Sequence, residues 1–319
     1  MLPALSVLLW PFSLSLQSTV FSTSHNYPVQ EKPLIGLPQD VTAPVLRTLS
    51  VFSEYSAAAT CINNFNATAG AKVTCDPGKC PIIEFSDTEI IGSFQGINPG
   101  NTTGFIAIDR THQRIILSFR GSEYSGNFKT DGNYTQIAVP EICPDCLMHG
   151  GFLSAWNSAS SFIMPTLDCA VKVFPHFTVA FTGHSLGGAL STVGATYLRK
   201  ANRTIDLFTF GSPQIGNYSV AEVITNTTMG LNYRSFGNFQ TCQKKWQYSQ
   251  SSPEYWITSN NTVKPTPADV EVIEGIDNKT GNLGQTGCDI TAHNWYIGNM
   301  TGCSRDGASK GSGKGWCDL

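Results

Sequence analysis

Charge is what this 319-residue sequence has least of. Asp, Glu, Lys and Arg together make up 13% of it, and the net charge is −3. A nucleic-acid-binding chain needs a basic face to neutralise phosphates, so nucleic-acid partners are excluded. Beyond the amino terminus there is no apolar run of membrane-spanning length, and no internal repeat. Cys143-Pro144-Asp145-Cys146 could be half a zinc site or a redox motif. No second ligand pair accompanies it, which favours a small disulfide loop. Asp is missing altogether from position 207 to position 268, an absence that matters for the chemistry below.

What is present points to export. Ten cysteines stand beside Asn-x-Ser/Thr sequons at Asn66, Asn101, Asn133, Asn202, Asn217, Asn226, Asn260, Asn278 and Asn299. Together they suggest an oxidising, glycosylating route, with chance matches making up part of the set. Residues 2–16 are Leu-rich and almost uncharged, as the core of a signal peptide is. Lys and Arg do not precede that run, and Pro3, Pro11 and the serines leave it too short to span a bilayer. The expected division is a signal peptide over 1–18, a pro-segment or loose arm over 19–40, one domain over 41–303, and a disordered Gly/Ser/Lys-rich tail over 304–319. The expected product is a secreted, extracellular monomer.

The stretch that organises the domain is Phe181-Thr182-Gly183-His184-Ser185-Leu186-Gly187-Gly188-Ala189. It follows a β-rich run over 177–181 and opens a helix-like run over 189–198. Strand, Gly-x-Ser-x-Gly, helix is the context of a nucleophile elbow, in which a tight turn exposes the serine above the sheet. Gly183 and Gly187 suit it because a Cβ at either would strike the neighbouring strand or helix. The helix that follows aims its first free N–H groups at the place where an oxyanion could form. A glycine-rich turn with an idle serine is the blander reading, and the context makes it the weaker one.

Around the elbow the pattern alternates. A helix is expected over 41–61, strands over 90–94, 104–109 and 114–119, and a helix over 150–174 kinked at Pro165. Strands over 205–210, 232–236 and 270–276 follow. This is an α/β chain with a mainly parallel sheet covered by helices on both faces. In hydrolases of this architecture the order is serine, acid, histidine. Of the six histidines only His293 lies beyond Ser185, so elimination makes it the general base. His184 and His149 read as structural.

Several segments together resemble one family. They are the elbow, Leu117-Ser118-Phe119-Arg120-Gly121-Ser122, Phe208-Thr209-Phe210-Gly211-Ser212-Pro213, Ser251-Ser252-Pro253-Glu254-Tyr255-Trp256 and Ile273-Glu274-Gly275-Ile276-Asp277. They are similar to the secreted fungal class 3 lipases, which include triacylglycerol lipases and feruloyl esterases. The resemblance covers about 46–303 and implies an α/β-hydrolase fold with Ser-His-Asp hydrolysis of carboxylic esters. It implies no cofactor and no metal, a lipid or ester substrate met at an oil–water surface, and an oxyanion hole from Ser122 and the Leu186 N–H. It also implies the pairings Cys61–Cys303, Cys75–Cys80 and Cys143–Cys146. Cys169, Cys242, Cys288 and Cys317 are left unassigned. A non-catalytic hydrolase-like protein that binds lipid or glycan surfaces is the alternative from another class.

Two segments depart from the family. The triad acid should follow the strand over 232–236, but residues 237–250 contain none, and the expected Thr-His-x-Asp and Pro-Pro elements are absent. Asp206 begins its strand, and Asp269 and Asp277 flank a later one. Asp289 is a weak remaining candidate, and Asn238 or Gln240 could at most orient a neutral imidazole. Either the lineage lost its acid or an exon boundary is misplaced; the abrupt return of family-like sequence at Ser251 favours the second. The other departure is the lid position, residues 123–135, which is polar and carries two glycines and the Asn133 sequon. That is closer to feruloyl esterases than to lipases. Stabilisation at an oil surface follows the apolar area buried there. Activity on soluble esters is therefore expected to change little as substrate passes its solubility limit. A steep rise at that limit would show instead that Tyr124 and Phe128 suffice for interfacial activation.

Overall fold

Strands β3 (Arg114–Phe119) and β6 (Thr178–His184) are apolar runs of the kind that parallel sheets bury on both faces. They pair in parallel near the middle of an eight-stranded sheet, with Phe119 opposite Gly183. The computed structural model in which they are seen describes residues 41–122, 134–227, 233–236, 247–285 and 290–303. The expected leader, arm, polar 123–133 segment and tail lie outside those residues. So do Asn133, Asn238, Gln240, Cys242, Cys288, Asp289 and Cys317.

The sheet runs β1 (Thr88–Ile97), β2 (Thr102–Asp109), β3, β6, β7 (Ile205–Phe210), β8 (Tyr233–Phe236), β9 (Glu254–Ile257), β10 (Val270–Ile273). From β3 to β9 the pairings are parallel, while β1, β2 and β10 are added antiparallel at the edges. A separate ribbon pairs β4 (Gln136–Ala138) with β5 (Leu147–His149). The helices are α1 (Ala43–Ala58), the short α2 (Ile62–Phe65) and α3 (Pro81–Phe85), α4 (Gly150–Val173), α5 (Leu186–Lys200), α6 (Tyr218–Thr227) and the single turn α7 (Ile290–His293). None of the described helices is long and apolar enough to cross a membrane.

The expected parallel sheet with helices on both faces is what forms, and the differences have local causes. Helix α5 begins at Leu186 rather than 189, because Ser185 itself is its N-cap residue and the two glycines after it already turn helically. Strand β10 stops at Ile273, short of 276, since Gly275 at φ 100° turns the chain. Pro165 is accommodated within α4. Helix α6 goes unread in the sequence because its Thr and Asn residues mask a buried stripe of Val220, Ala221 and Ile224.

Each sheet face has its own core. Helices α4 and α5 cover one with Trp156, Phe181, Leu117 and Leu190. Helix α1 covers the other, where Phe52 stacks on Phe208 at 3.7 Å between ring centres. Beneath α1 lies a polar seam. Tyr55 donates to Asp109 at 2.7 Å, and Ser56 and Thr182 share a hydrogen bond of 2.7 Å, while Ser191 of α5 donates to the Thr182 carbonyl. Burial alone would raise the Asp109 carboxyl, but His112 and Tyr55 hydrogen bonds hold it below its ordinary range.

Disulfides join Cys61 to Cys303, Cys75 to Cys80 and Cys143 to Cys146, the last resolving the alternatives left open for that pair. Cys169 is an exposed free thiol on α4. Asn66 is exposed at the end of α2, and Asn101 is half-buried in the β1–β2 turn with φ 50°. The Cys61–Cys303 bridge closes a loop of sequence separation 242, and the chain-entropy argument gives a crosslink of that length about 5 kcal/mol before strain. Replacing both cysteines with serine should lower the urea midpoint by a corresponding amount. An unchanged midpoint would mean that the unfolded chain is not restricted by the bridge.

Glu254, at the start of β9, is 4% exposed. Burial raises its carboxyl from 4.5 to about 7, against the pull of the Asn282 N–H. The folded chain thus holds this proton more tightly than the unfolded one. Its stabilising contribution is complete below the unfolded value and is lost as pH rises through about 7. Glu254→Gln removes that loss. Denaturant unfolding should find the variant more stable than the parent at pH 8, by something on the order of 3 kcal/mol, and similar to it at pH 4. A difference that does not depend on pH would refute the assignment.

Candidate functional site

The elbow forms as the motif requires. Ser185 stands between β6 and α5 at φ 55°, ψ −126°, a conformation that costs an L-residue on the order of 1–3 kcal/mol. Its neighbours explain how that is held. The Ser185 N–H donates to Phe210 O at 2.9 Å, and the Ser185 carbonyl accepts from Gly188 and Ala189 at 2.9 and 3.2 Å. A Cβ at Gly183 would lie 2.3 Å from the Gly187 carbonyl carbon, and one at Gly187 would lie 2.2 Å from Phe119 O. Only glycine lets the turn press this closely on β3. Ser185 is half-exposed while residues 179–184 and 186–196 are buried.

The segment after β3 runs alongside. Phe119 faces Gly183 across the pairing, so Arg120-Gly121-Ser122 passes the sheet edge level with His184-Ser185-Leu186. A Cβ at Gly121 would lie 3.0 Å from His184 O and 3.5 Å from the Ser185 Cβ. Ser122 therefore follows directly on a residue in contact with the elbow. Leu186 is the first residue of α5, and helix geometry leaves the earliest N–H groups without intrahelical acceptors. The two residues expected to form an oxyanion hole are thus brought to the same edge of the sheet as Ser185.

His293 reaches this edge from far along the chain. It ends α7, is 5% exposed, and packs against His184 with ring centres 4.6 Å apart. Its backbone carbonyl accepts a hydrogen bond from His184 Nε2 at 2.7 Å. A carbonyl only accepts, so His184 carries its proton on Nε2. Burial lowers the His184 imidazole to about 4, with the carbonyl bond acting the other way. Burial and then the neighbouring His184 hold His293 well below its ordinary value, so both rings are neutral near pH 7. The structural reading of His184 is thereby given a content, for it ties the His293 loop to the elbow. His149 is structural too, capping α4 by accepting from the Phe152 N–H.

A contact that sequence reading does not anticipate lies at Gly211, just past β7. Its φ is +59°, and a Cβ there would lie 2.3 Å from Tyr296 Oη, 2.8 Å from His293 Nδ1 and 2.9 Å from His293 Cε1. Periodicity carries no sign of such a contact between residues so far apart in the chain. The only hint was the Gly in Phe210-Gly211-Ser212.

Among the described residues no Asp or Glu is brought to His293. Asp206 lies at the opening of β7 in an ion pair with Arg114, four residues before Phe210, or roughly 13 Å down the strand. Asp269 accepts from the Thr266 N–H and hydroxyl, and Asp277 accepts from the Gln250 N–H. Glu254 is level with Gly183 by register, yet its Oε2 lies where a Cβ at Gly281 would meet it at 2.6 Å, toward β10. The end of the divergent 237–250 segment is nonetheless fitted to the fold. Tyr248 is buried and donates to Tyr134 O, and the Ser249 N–H donates to Gly216 O.

Comparison with known proteins follows the same lines. The lipase (class 3) family profile matches residues 116–236. The secreted mono- and diacylglycerol lipase 1 of Fusarium solani is 35% identical over 269 residues, covering 83% of this chain and 79% of that protein. The secreted mono- and diacylglycerol lipase A of Penicillium cyclopium is 33% identical, covering 81% and 87%. The crystal structure of the mono- and diacylglycerol lipase from Aspergillus oryzae superposes with a TM-score of 0.73 at 32% identity, covering 80% of this chain and 97% of that one. These relatives carry the name of lipase, and the feruloyl-esterase alternative is not favoured. The chain is an ester hydrolase of α/β-hydrolase fold and belongs to the class 3 lipases.

Proposed function

We propose that this chain hydrolyses the ester bonds of mono- and diacylglycerols outside the cell, as a monomer and without a cofactor. Ser185 is the nucleophile, His293 takes its proton and returns it to the leaving alcohol, and Ser122 with the Leu186 N–H stabilises the tetrahedral oxyanion. The observation that carries this reading is the strained, partly exposed Ser185 next in the chain to His184, whose ring packs on that of the neutral, buried His293. A neutral imidazole is the form that can accept the serine proton. The acylglycerol substrate rests on relatives named for mono- and diacylglycerols that span most of the chain. Export rests on the Leu-rich leader, the disulfides and the same relatives' names.

The missing acid sets the rate expected. A triad carboxylate orients the imidazole and stabilises its charged form, and losing it typically lowers turnover by about 10⁴-fold while the oxyanion hole and binding persist. The chain as written should therefore hydrolyse monoolein and diolein slowly, and Ser185→Ala should abolish what turnover there is. Installing a Thr-His-Thr-Asp segment with its Pro-Pro turn in place of 237–250 should restore several orders of magnitude. Ordinary lipase rates from the unaltered chain would require another carboxylate, with Asp289→Ala the first substitution to measure. Turnover that survives Ser185→Ala would refute the nucleophile.

A further inference from the structure

The geometry points to Tyr296 as a positioning residue for His293, its phenol oxygen standing beside the Nδ1 edge of the ring. This rests on the reading of Ser185 and His293 as nucleophile and base. Both atoms crowd the same point. The Cβ position of Gly211 is 2.3 Å from Tyr296 Oη and 2.8 Å from His293 Nδ1. The two atoms can be no farther apart than those lengths laid end to end, about 5 Å, which one bridging water spans. Gly211 leaves that space open, since any side chain there would enter it.

The rest of the tyrosine is fixed by packing. Tyr296 is 4% exposed, and its ring meets Phe210 edge-on at 5.9 Å and His184 at 6.1 Å. Its N–H donates to Gly298 O, and the Trp295 N–H donates to Ala292 O, so the turn from His293 to Tyr296 is hydrogen-bonded throughout. His184 grips the His293 carbonyl from the other side. The phenol oxygen accepts the Nδ1–H through one bridging water, which leaves Nε2 bare for the serine proton. It selects a tautomer and a ring orientation.

The test needs two readouts. In the parent protein, a slowly exchanging imidazole N–H resonance that disappears in His293→Gln should show a nuclear Overhauser effect to the Tyr296 ring. In Tyr296→Phe, which keeps the ring packing, that resonance should shift or broaden. The variant's kcat should fall tenfold or more with KM unchanged. No such resonance in the parent, no effect to the Tyr296 ring, or a Tyr296→Phe enzyme with parental kcat would each overturn the assignment. The magnetic resonance result decides the role of Tyr296 even if Ser185→Ala shows that the hydrolase reading itself fails. It also needs no variant at Tyr296 to fold.

Discussion

The close approach of three backbone segments at the carboxyl edge of the sheet governs everything else about the site. The turn between β6 and α5 is pressed against the end of β3 and held by a hydrogen bond to the end of β7. Two of the contacts are shorter than any side chain allows, so glycine at 183 and 187 is a geometric demand. Once that packing is made, little freedom remains. Ser185 is forced into its strained conformation, the 120–122 segment is set level with it by strand register, and Phe210 brings Gly211 to its other flank. A site assembled on strand ends and a helix start inherits their rigidity, which is what holding groups for attack demands.

The histidine pair extends that constraint to a residue 108 positions downstream of the serine. His184 belongs to the elbow strand, and its ring proton is committed to the His293 carbonyl. Wherever the elbow goes, the His293 loop is held with it. The arrangement has an electrostatic consequence. Two buried imidazoles 4.6 Å apart cannot readily both be charged. Because burial keeps His184 neutral down to about pH 4, a proton arriving on His293 meets a dipole in place of a second positive charge.

How much of this could be read from sequence depends on the range of the interaction. The elbow was legible because its strand, glycines and helix are contiguous, and strands such as β3 and β7 because each is a short apolar run. His293 is singled out as the candidate base by elimination among six histidines, since chain order restricts a base to positions after the serine. The Gly211 contact with His293 and Tyr296 was invisible, because neither periodicity nor motif links residues more than 80 positions apart. Glu254 stands within Ser251–Trp256, and nothing in that string says that its carboxyl is buried. Helix α6 was hidden for a different reason. Its Thr and Asn residues are poor helix formers, and the burial of Val220, Ala221 and Ile224 overrides them.

A triad acid has two separable duties. One is steric and tautomeric, holding the ring so that Nε2 faces the serine. The other is electrostatic, compensating the charge that appears on the ring during attack. The first can be met by neutral groups, and the Gly211 cleft places a phenol oxygen and the Nδ1 edge within about 5 Å of each other. The second cannot, and burial makes it harder, because a charged imidazole in a dry site lacks the water that would solvate it. A chain with orientation intact and charge compensation absent should bind its ester normally and be slow in the step that charges His293. A deficit of that origin falls in kcat and leaves KM alone, which a collapsed or misfolded site would not do.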